Sequence, residues 1–187
     1  MVSGIPGLFV KSLDFGLIPE LIRPYRANRD LKSQPDFFEE KYPESPAELE
    51  SLAQKFPEKW QIWDKLGFAY AKEIEQKDNT GKKVVYPDIA EKSVAAYLKA
   101  HQLNPRAFGP PNNIGNIYYT LRSPAQAIEW WNIAIAVNPN AVDSRLNLAI
   151  AYYYKGQVKE SSQQLEEVLK RDPHNKTALV MLKRMVE

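Results

Sequence analysis

Apolar and polar positions in the second half of the chain repeat with a period of 34 residues. Three prolines stand 34 residues apart, and each follows Asn or Asp: Pro105, Pro139 and Pro173. A residue before proline is pushed out of the α region, so each pair is expected to end a helix. Counting back from Pro139, Ala134, Trp131 and Ala127 lie on one helix face, and the matching positions before the other prolines are also small or apolar. The period predicts stacked helical units.

A second pattern precedes two of these helices at the same period. Gly115 is followed three residues later by Tyr118, and Ala149 is followed in the same way by Tyr152. The small residue allows a neighbouring helix to come close, and the tyrosine fills the space beside it. The same spacing opens an earlier unit: Trp63, Leu66, Gly67 and Tyr70. Each unit therefore has the pattern of two packed helices.

These residues resemble the tetratricopeptide repeat, a 34-residue helix–turn–helix unit. The earlier unit matches the opening motif of that repeat in full. Ala127, Trp131, Ala134 and Pro139 match its second helix, with Trp in place of the usual Phe. The resemblance extends over about residues 59–187. It implies an all-α fold, a right-handed α-solenoid of about three tetratricopeptide-like helix–turn–helix repeats with a C-terminal capping helix and an irregular N-terminal arm.

The resemblance divides the chain into an arm, a leading helix and a solenoid. The predicted segments are the arm 1–44, the half-repeat helix 45–58, and a solenoid 59–187 with units 59–105, 106–139 and 140–173 and a capping helix 174–187. The first unit is longer than the others, so an insertion is expected near residues 73–87. Its second helix is expected to start at Asp88, with Glu91 completing a capping box. A terminal helix is expected because the last repeat would otherwise expose its apolar face.

The arm 1–44 has several prolines among apolar clusters, such as Leu8-Phe9-Val10 and Leu21-Ile22. The proline spacing excludes long helices, and the apolar content argues against a free tail. An arm that lies on a surface fits best. That surface is either its own solenoid or another protein, and the sequence leaves both open.

Composition and charge exclude several classes of function. The chain of 187 residues has 25 Lys and Arg against 23 Asp and Glu, so a net charge of +2 makes no case for nucleic acid. It has no Cys and two His, which excludes a disulfide framework and a Cys- or His-based metal site. The known nucleotide-binding and hydrolase motifs are missing, so no enzyme activity, cofactor or metal is expected. Without a signal-peptide pattern or an apolar stretch that spans a bilayer, we expect a soluble protein, with the cytoplasmic side favoured, that meets membranes only through a complex.

In this family the first helix of each unit lines the concave surface, so the resemblance implies which residues contact a partner. Asn113 and Asn147 are 34 residues apart at the same inward position. An Asn side chain offers a donor and an acceptor, so such a column can pair with the backbone of an extended peptide. Alternatively, these side chains pair with neighbouring helices. The other expected groove residues are Asp64, Lys65, Phe68, Asn112, Asn116, Tyr119, Tyr153 and Tyr154.

Two further observations refine this groove. A carboxylate clamp for acidic chaperone tails needs Lys and Asn where this chain has Asp64 and Phe68, and it needs Lys at Asp143, so this type of ligand is not expected. Trp130 lies beside the core residue Trp131 in a unit that has few charges. It is predicted to be a second contact site or the bed of the arm, unless it packs against the neighbouring unit.

The sequence therefore predicts a non-enzymatic protein–protein interaction module that binds an extended segment of another protein in its concave groove. The alternative is a structural or assembly subunit of a larger, possibly membrane-bound, complex, anchored through the arm 1–44. The identity of the partner and the oligomeric state stay open at this point.

Overall fold

The computed structural model describes residues 42–186, which form eight helices and one β-hairpin. Most of the predicted arm lies outside the described residues. The elements are α1 (Pro46–Lys55), α2 (Trp60–Ala71), β1 (Glu75–Lys77), β2 (Lys83–Val85), α3 (Pro87–Leu103), α4 (Gly109–Thr120), α5 (Pro124–Val137), α6 (Val142–Tyr154), α7 (Val158–Arg171) and α8 (Lys176–Val186). Each helix packs on the next one in the chain, most extensively within the pairs α2–α3, α4–α5 and α6–α7. The predicted all-α repeat fold is confirmed.

The second helix of each pair ends at the residue before a proline. The C-caps Asn104, Asn138 and Asp172 all lie outside the α region, with φ between −137° and −130° and ψ between 84° and 96°. Proline disfavours the α conformation in the residue that precedes it, which explains the common geometry. The same side chains shape the following turns, since the Asn138 side-chain oxygen accepts a hydrogen bond from the Asn140 backbone N–H at 3.0 Å. The chain therefore reverses direction at each unit boundary.

Small residues on the first helix make room for large, fully buried ones on the second. A Cβ atom added at Gly67 would lie 2.8 Å from the Tyr97 ring, and one added at Gly115 would lie 2.6 Å from the Trp131 ring. Contacts this short are not tolerated between real atoms, so both rings require glycine. The third pair has Ala149 in the same hydrophobic cluster as the smaller Leu165. The size of one residue compensates for the size of its partner in every unit.

Two serines tie the second helix to the backbone of the first. The Ser93 hydroxyl donates to the Gly67 carbonyl at 2.6 Å, and the Ser161 hydroxyl donates to the Ala149 carbonyl at 2.7 Å. Both serines are fully buried. The middle unit has Ala127 at this position, and its second helix bonds the first through the Trp131 indole N–H, which donates to the Asn116 side-chain oxygen at 2.9 Å.

The insertion in the first unit is an antiparallel β-hairpin formed by β1 and β2. Its turn is stabilised by the Asp78 carboxylate, which accepts hydrogen bonds from Thr80 and from the Lys82 backbone N–H, and by Gly81 at φ +80°. The predicted capping box at Asp88 is wrong. Helix α3 begins one residue earlier at Pro87, with Tyr86 as its N-cap and no side-chain capping bond. Proline suits the first helical position because its missing N–H has no partner there.

The last helix, α8, closes the described part of the solenoid. Ala178 is fully buried against the α6–α7 pair, whereas Leu179 and Val180 are 47% and 51% exposed. Within residues 42–186, no helix is long and apolar enough to cross a membrane.

Candidate peptide-binding groove

The two predicted asparagine rungs have different hydrogen-bond partners. The Asn147 amide donates to the Asn116 side-chain oxygen at 2.9 Å, so it is engaged in the helix pairing that the sequence left as the alternative. The Asn113 side-chain oxygen has only a long contact of 3.5 Å with the Asn112 amide, and its own amide nitrogen has no hydrogen-bond partner within the described chain. Both rungs are buried, but Asn113 alone keeps an unused donor.

A polar seam joins the first helices α4 and α6. The Ser144 hydroxyl donates to the Asn112 side-chain oxygen at 2.7 Å, one turn before the Asn147 to Asn116 bond. The Asn116 oxygen also accepts from the Trp131 indole N–H at 2.9 Å, which connects α5 to the same seam. Because α4 and α6 belong to successive units, Asn112 and Asn116 stabilise the stacking of the repeats. Ser144 was not among the predicted groove residues, although it stands three positions before Asn147 on the same helix.

Three buried polar atoms of the first helices make no hydrogen bond to a described residue. They are Asp64 Oδ1, Asn113 Nδ2 and Asn116 Nδ2. The side chains of Asp64 and Asn113 are only 6% and 5% exposed. A buried polar atom without a partner costs free energy, about 1–3 kcal/mol, so such atoms in a native fold call for an explanation.

The carboxyl group of Asp64 is the most strongly perturbed group on these helices. Burial raises its pKa from 3.8 to about 7, although the neighbouring positive charge of Lys65 lowers it. Desolvation penalises the charged form of a carboxylate, and the unpaired Oδ1 atom receives no N–H donor to offset that penalty. Asp64 Oδ1 is therefore a buried acceptor, and leaving it without a hydrogen-bond donor costs free energy.

Aromatic rings follow the polar seam at the C-terminal ends of α4 and α6. Tyr119 packs against Trp131 with ring centroids 5.6 Å apart, and burial together with the nearby Tyr154 raises its pKa to about 12. Tyr153 and Tyr154 meet edge to face at 5.7 Å and are 38% and 42% exposed. Tyrosines with an apolar body and a polar tip are common at recognition surfaces, so this patch can contact ligand side chains.

The first-unit residues lie close to the point where the described chain begins. The Lys72 ammonium is 5.4 Å from the Phe68 ring centroid, and it also forms a 3.7 Å ion pair with Glu44. Tyr42 packs on the cluster between α1 and α2. The chain therefore joins the solenoid beside Phe68, one of the predicted groove residues.

Trp130 is partly buried and packs on the cluster formed by α3 and α4. Its ring meets His101 in a T-shaped arrangement at 6.2 Å, and burial lowers the pKa of that histidine. This is the packing against a neighbouring unit that the sequence left open. A second contact site at Trp130 stays a prediction. Across residues 42–186, no group of three or more His, Cys, Asp or Glu is placed to hold a metal ion.

The repeat motif is recognised directly in the sequence of the third unit. Residues 142–175 match the family model described as "Tetratricopeptide repeat". The third unit is therefore a match to the tetratricopeptide repeat. No curated protein sequence matches it significantly.

Several solved structures share the fold. The first tetratricopeptide domain of Spaghetti (RPAP3), bound to the HSP90 peptide SRMEEVD, is 20% identical, covers 68% of this chain and 90% of its own, and has a TM-score of 0.57. The thermophilic protein TTC0263 of Thermus thermophilus is 19% identical, with coverages of 75% and 71% and a TM-score of 0.58. The second tetratricopeptide domain of human RPAP3, in complex with the HSP70 peptide SGPTIEEVD, is 20% identical, with coverages of 70% and 98% and a TM-score of 0.57. Identities at this level establish the fold alone.

Proposed function

We propose that this chain binds an extended, largely uncharged segment of another protein along its first helices α2, α4 and α6. The observation that supports the proposal is the set of buried polar atoms without described partners: Asp64 Oδ1, Asn113 Nδ2 and Asn116 Nδ2. Two amide donors and one carboxyl acceptor match the carbonyl and N–H groups that an extended backbone presents. A bound segment would satisfy atoms that the fold leaves unsatisfied.

The aromatic patch would contact the side chains of the segment. Tyr119, Tyr153 and Tyr154 supply rings at the end of the polar seam, and Phe68 supplies one in the first unit. Backbone pairing gives affinity without sequence preference, whereas pockets or rings along the path select the side chains. The expected ligand therefore combines an extended backbone with apolar or aromatic side chains.

The peptides in the RPAP3 structures support binding of short segments by this fold, but they end in acidic residues. The predicted groove of this chain has Asp64 and Asp143 where a clamp for carboxylates needs cations. The exposed Asp143 carboxylate repels like charges, and Asp64 supplies no cation, so an acidic tail is a poor ligand here.

The test compares one groove variant with one matched control in the full chain. Asn113→Ala removes an amide that has no described partner, and Asn132→Ala removes an exposed amide of α5 that bonds only the Ile128 carbonyl. The tagged chains are purified from native cells, partners are identified by mass spectrometry, and overlapping partner peptides are titrated. We expect Asn113→Ala to weaken peptide binding about tenfold, the effect of roughly one lost hydrogen bond to a buried group.

The control Asn132→Ala should bind like the wild-type chain. Equal affinity of the wild type and Asn113→Ala, with an unchanged melting temperature, would contradict peptide binding in the groove. Loss of all partners only when the arm 1–44 is changed would favour the alternative function as a subunit anchored through that arm.

A further inference from the structure

The groove and the N-terminal sequence of the same chain have matching chemistry. The groove offers hydrogen-bond atoms for a backbone and rings for apolar side chains. Residues 1–22 contain only three charged side chains, namely Lys11, Asp14 and Glu20. The rest of this stretch is largely apolar, and Pro6 and Pro19 disfavour a helix within it. It belongs to the ligand class that the groove residues define.

The point of attachment places this stretch within reach of the groove. Glu44 is ion-paired to Lys72, whose ammonium lies over the Phe68 ring, so the described chain begins beside the inward side of α2. Residues 23–41 can span roughly 60 Å when extended. Two helix spacings, from α2 to α6, amount to about 20 Å. The connecting residues are therefore long enough to carry residues 1–22 to any of the first helices.

We propose that residues 1–22 of the same chain occupy the groove when no partner is bound. The inference rests on the proposed function of the groove and names its first ligand. A short tether holds a segment at an effective concentration in the millimolar range, so even weak pairing keeps the groove filled. A partner must then displace the segment, and its apparent affinity falls by the fraction of chains in which the groove is open.

The absence of Cys from the sequence allows a direct test in the full chain. Ser12→Cys provides a single site for a nitroxide label within residues 1–22. In an ¹⁵N-labelled chain, the label should remove most of the amide signal intensity of Asn113, Asn116 and Asn147. The exposed second-helix residues Asn132 and Gln163 should keep theirs. Loss of intensity on the second helices, or on no described helix, would overturn the proposal.

Two controls identify the occupant. A mixture of spin-labelled ¹⁴N chains with unlabelled ¹⁵N chains reports only contacts between copies. Loss of the groove signals in this mixture would mean that a second copy supplies the segment, against the proposal. The double substitution Leu8→Asp with Phe9→Asp places two carboxylates in the segment. When this double substitution is added to the spin-labelled Ser12→Cys chain, the amide signals of Asn113, Asn116 and Asn147 should return, because the segment leaves the groove. If those signals stay lost, the proposal is contradicted.

A peptide of residues 1–22, added to the full chain with Leu8→Asp and Phe9→Asp, separates this inference from the proposed function. The peptide should bind this double variant at least about tenfold more tightly than it binds the wild-type chain, whose groove is already filled. Adding Asn113→Ala should weaken that binding. If groove signals are unaffected by the label but partner peptides still bind in an Asn113-dependent way, the intramolecular proposal fails and the proposed function stands. If neither occurs, both fail.

Discussion

The Asn147 amide donates to the Asn116 side-chain oxygen at 2.9 Å, across the boundary between two successive repeats. The same oxygen accepts a hydrogen bond from the buried Trp131 indole at 2.9 Å, so Asn116 links the three helices α4, α5 and α6. Asn113 has the same position in its repeat as Asn147, yet its amide has no described partner. Of the two residues at this repeat position, therefore, only Asn147 uses its amide to join successive repeats.

Replacing each of these asparagines should affect a different property. Asn147→Ala breaks the bond to Asn116 and is expected to lower the free energy of unfolding by about 1–2 kcal/mol. Asn113→Ala removes a buried amide that is not bonded, so the stability should change little while peptide binding weakens. Urea denaturation and peptide titration of both variants provide the check. Equal losses of stability would contradict the assignment.

Gly115→Ala should destabilise the chain even though alanine is the better helix former. The added Cβ would lie 2.6 Å from the Trp131 ring, and overpacking of this kind costs about 1–3 kcal/mol, more than the gain of about 1 kcal/mol in helix propensity. In the third unit the same two positions hold Ala149 and Leu165, so a smaller second residue should make room for the alanine. In a double-mutant cycle, Trp131→Leu should reduce the cost of Gly115→Ala. Additive effects would show that the ring does not select glycine.

The stability of the chain should depend on pH through Asp64. Its pKa is about 7 in the folded state against 3.8 ordinarily, so the folded state retains a proton that the unfolded state loses. Stability should therefore fall as pH rises from about 4 to about 7 and then level off. Asp64→Asn should remove this dependence and stabilise the chain at pH 8 by roughly 2–4 kcal/mol. Denaturation curves at pH 5 and pH 8 test it, and the same pH response in both chains would rule Asp64 out as its source.

The acidic peptides SRMEEVD and SGPTIEEVD should not bind this chain. Asp64 and Asp143 are acidic at positions where a clamp for acidic tails is expected to have cations. Fluorescence anisotropy with labelled peptides should show no saturation in the micromolar range. Asp143 is exposed, so Asp143→Lys serves as a variant that removes one repulsive charge without disturbing the core. Saturable binding of either peptide to the wild-type chain would refute the uncharged ligand class.

The helical repeats were predictable because their signals are local. A proline ends a helix through the conformation of the residue before it, and the spacing of Ala127, Trp131 and Ala134 defines one helix face without any knowledge of the neighbours. The start of α3 was mispredicted, because Asp88 and Glu91 fit a capping box while Pro87 fits the first helical turn. Sequence pattern alone did not decide between these two local solutions.

By itself, the sequence determined the repeat period and the fold class, since both follow from proline, glycine and apolar spacing along one chain. The positions expected to face inward came from the resemblance to the tetratricopeptide repeat. Only the tertiary structure decided the hydrogen-bond partners of those inward residues. Asn113 and Asn147 are equivalent in sequence, but the Asn147 amide meets Asn116, 31 residues earlier in the chain, whereas the Asn113 amide meets no described partner. Hydrogen bonding depends on distances of a few tenths of an ångström between helices, and a repeating pattern of residues does not contain that information.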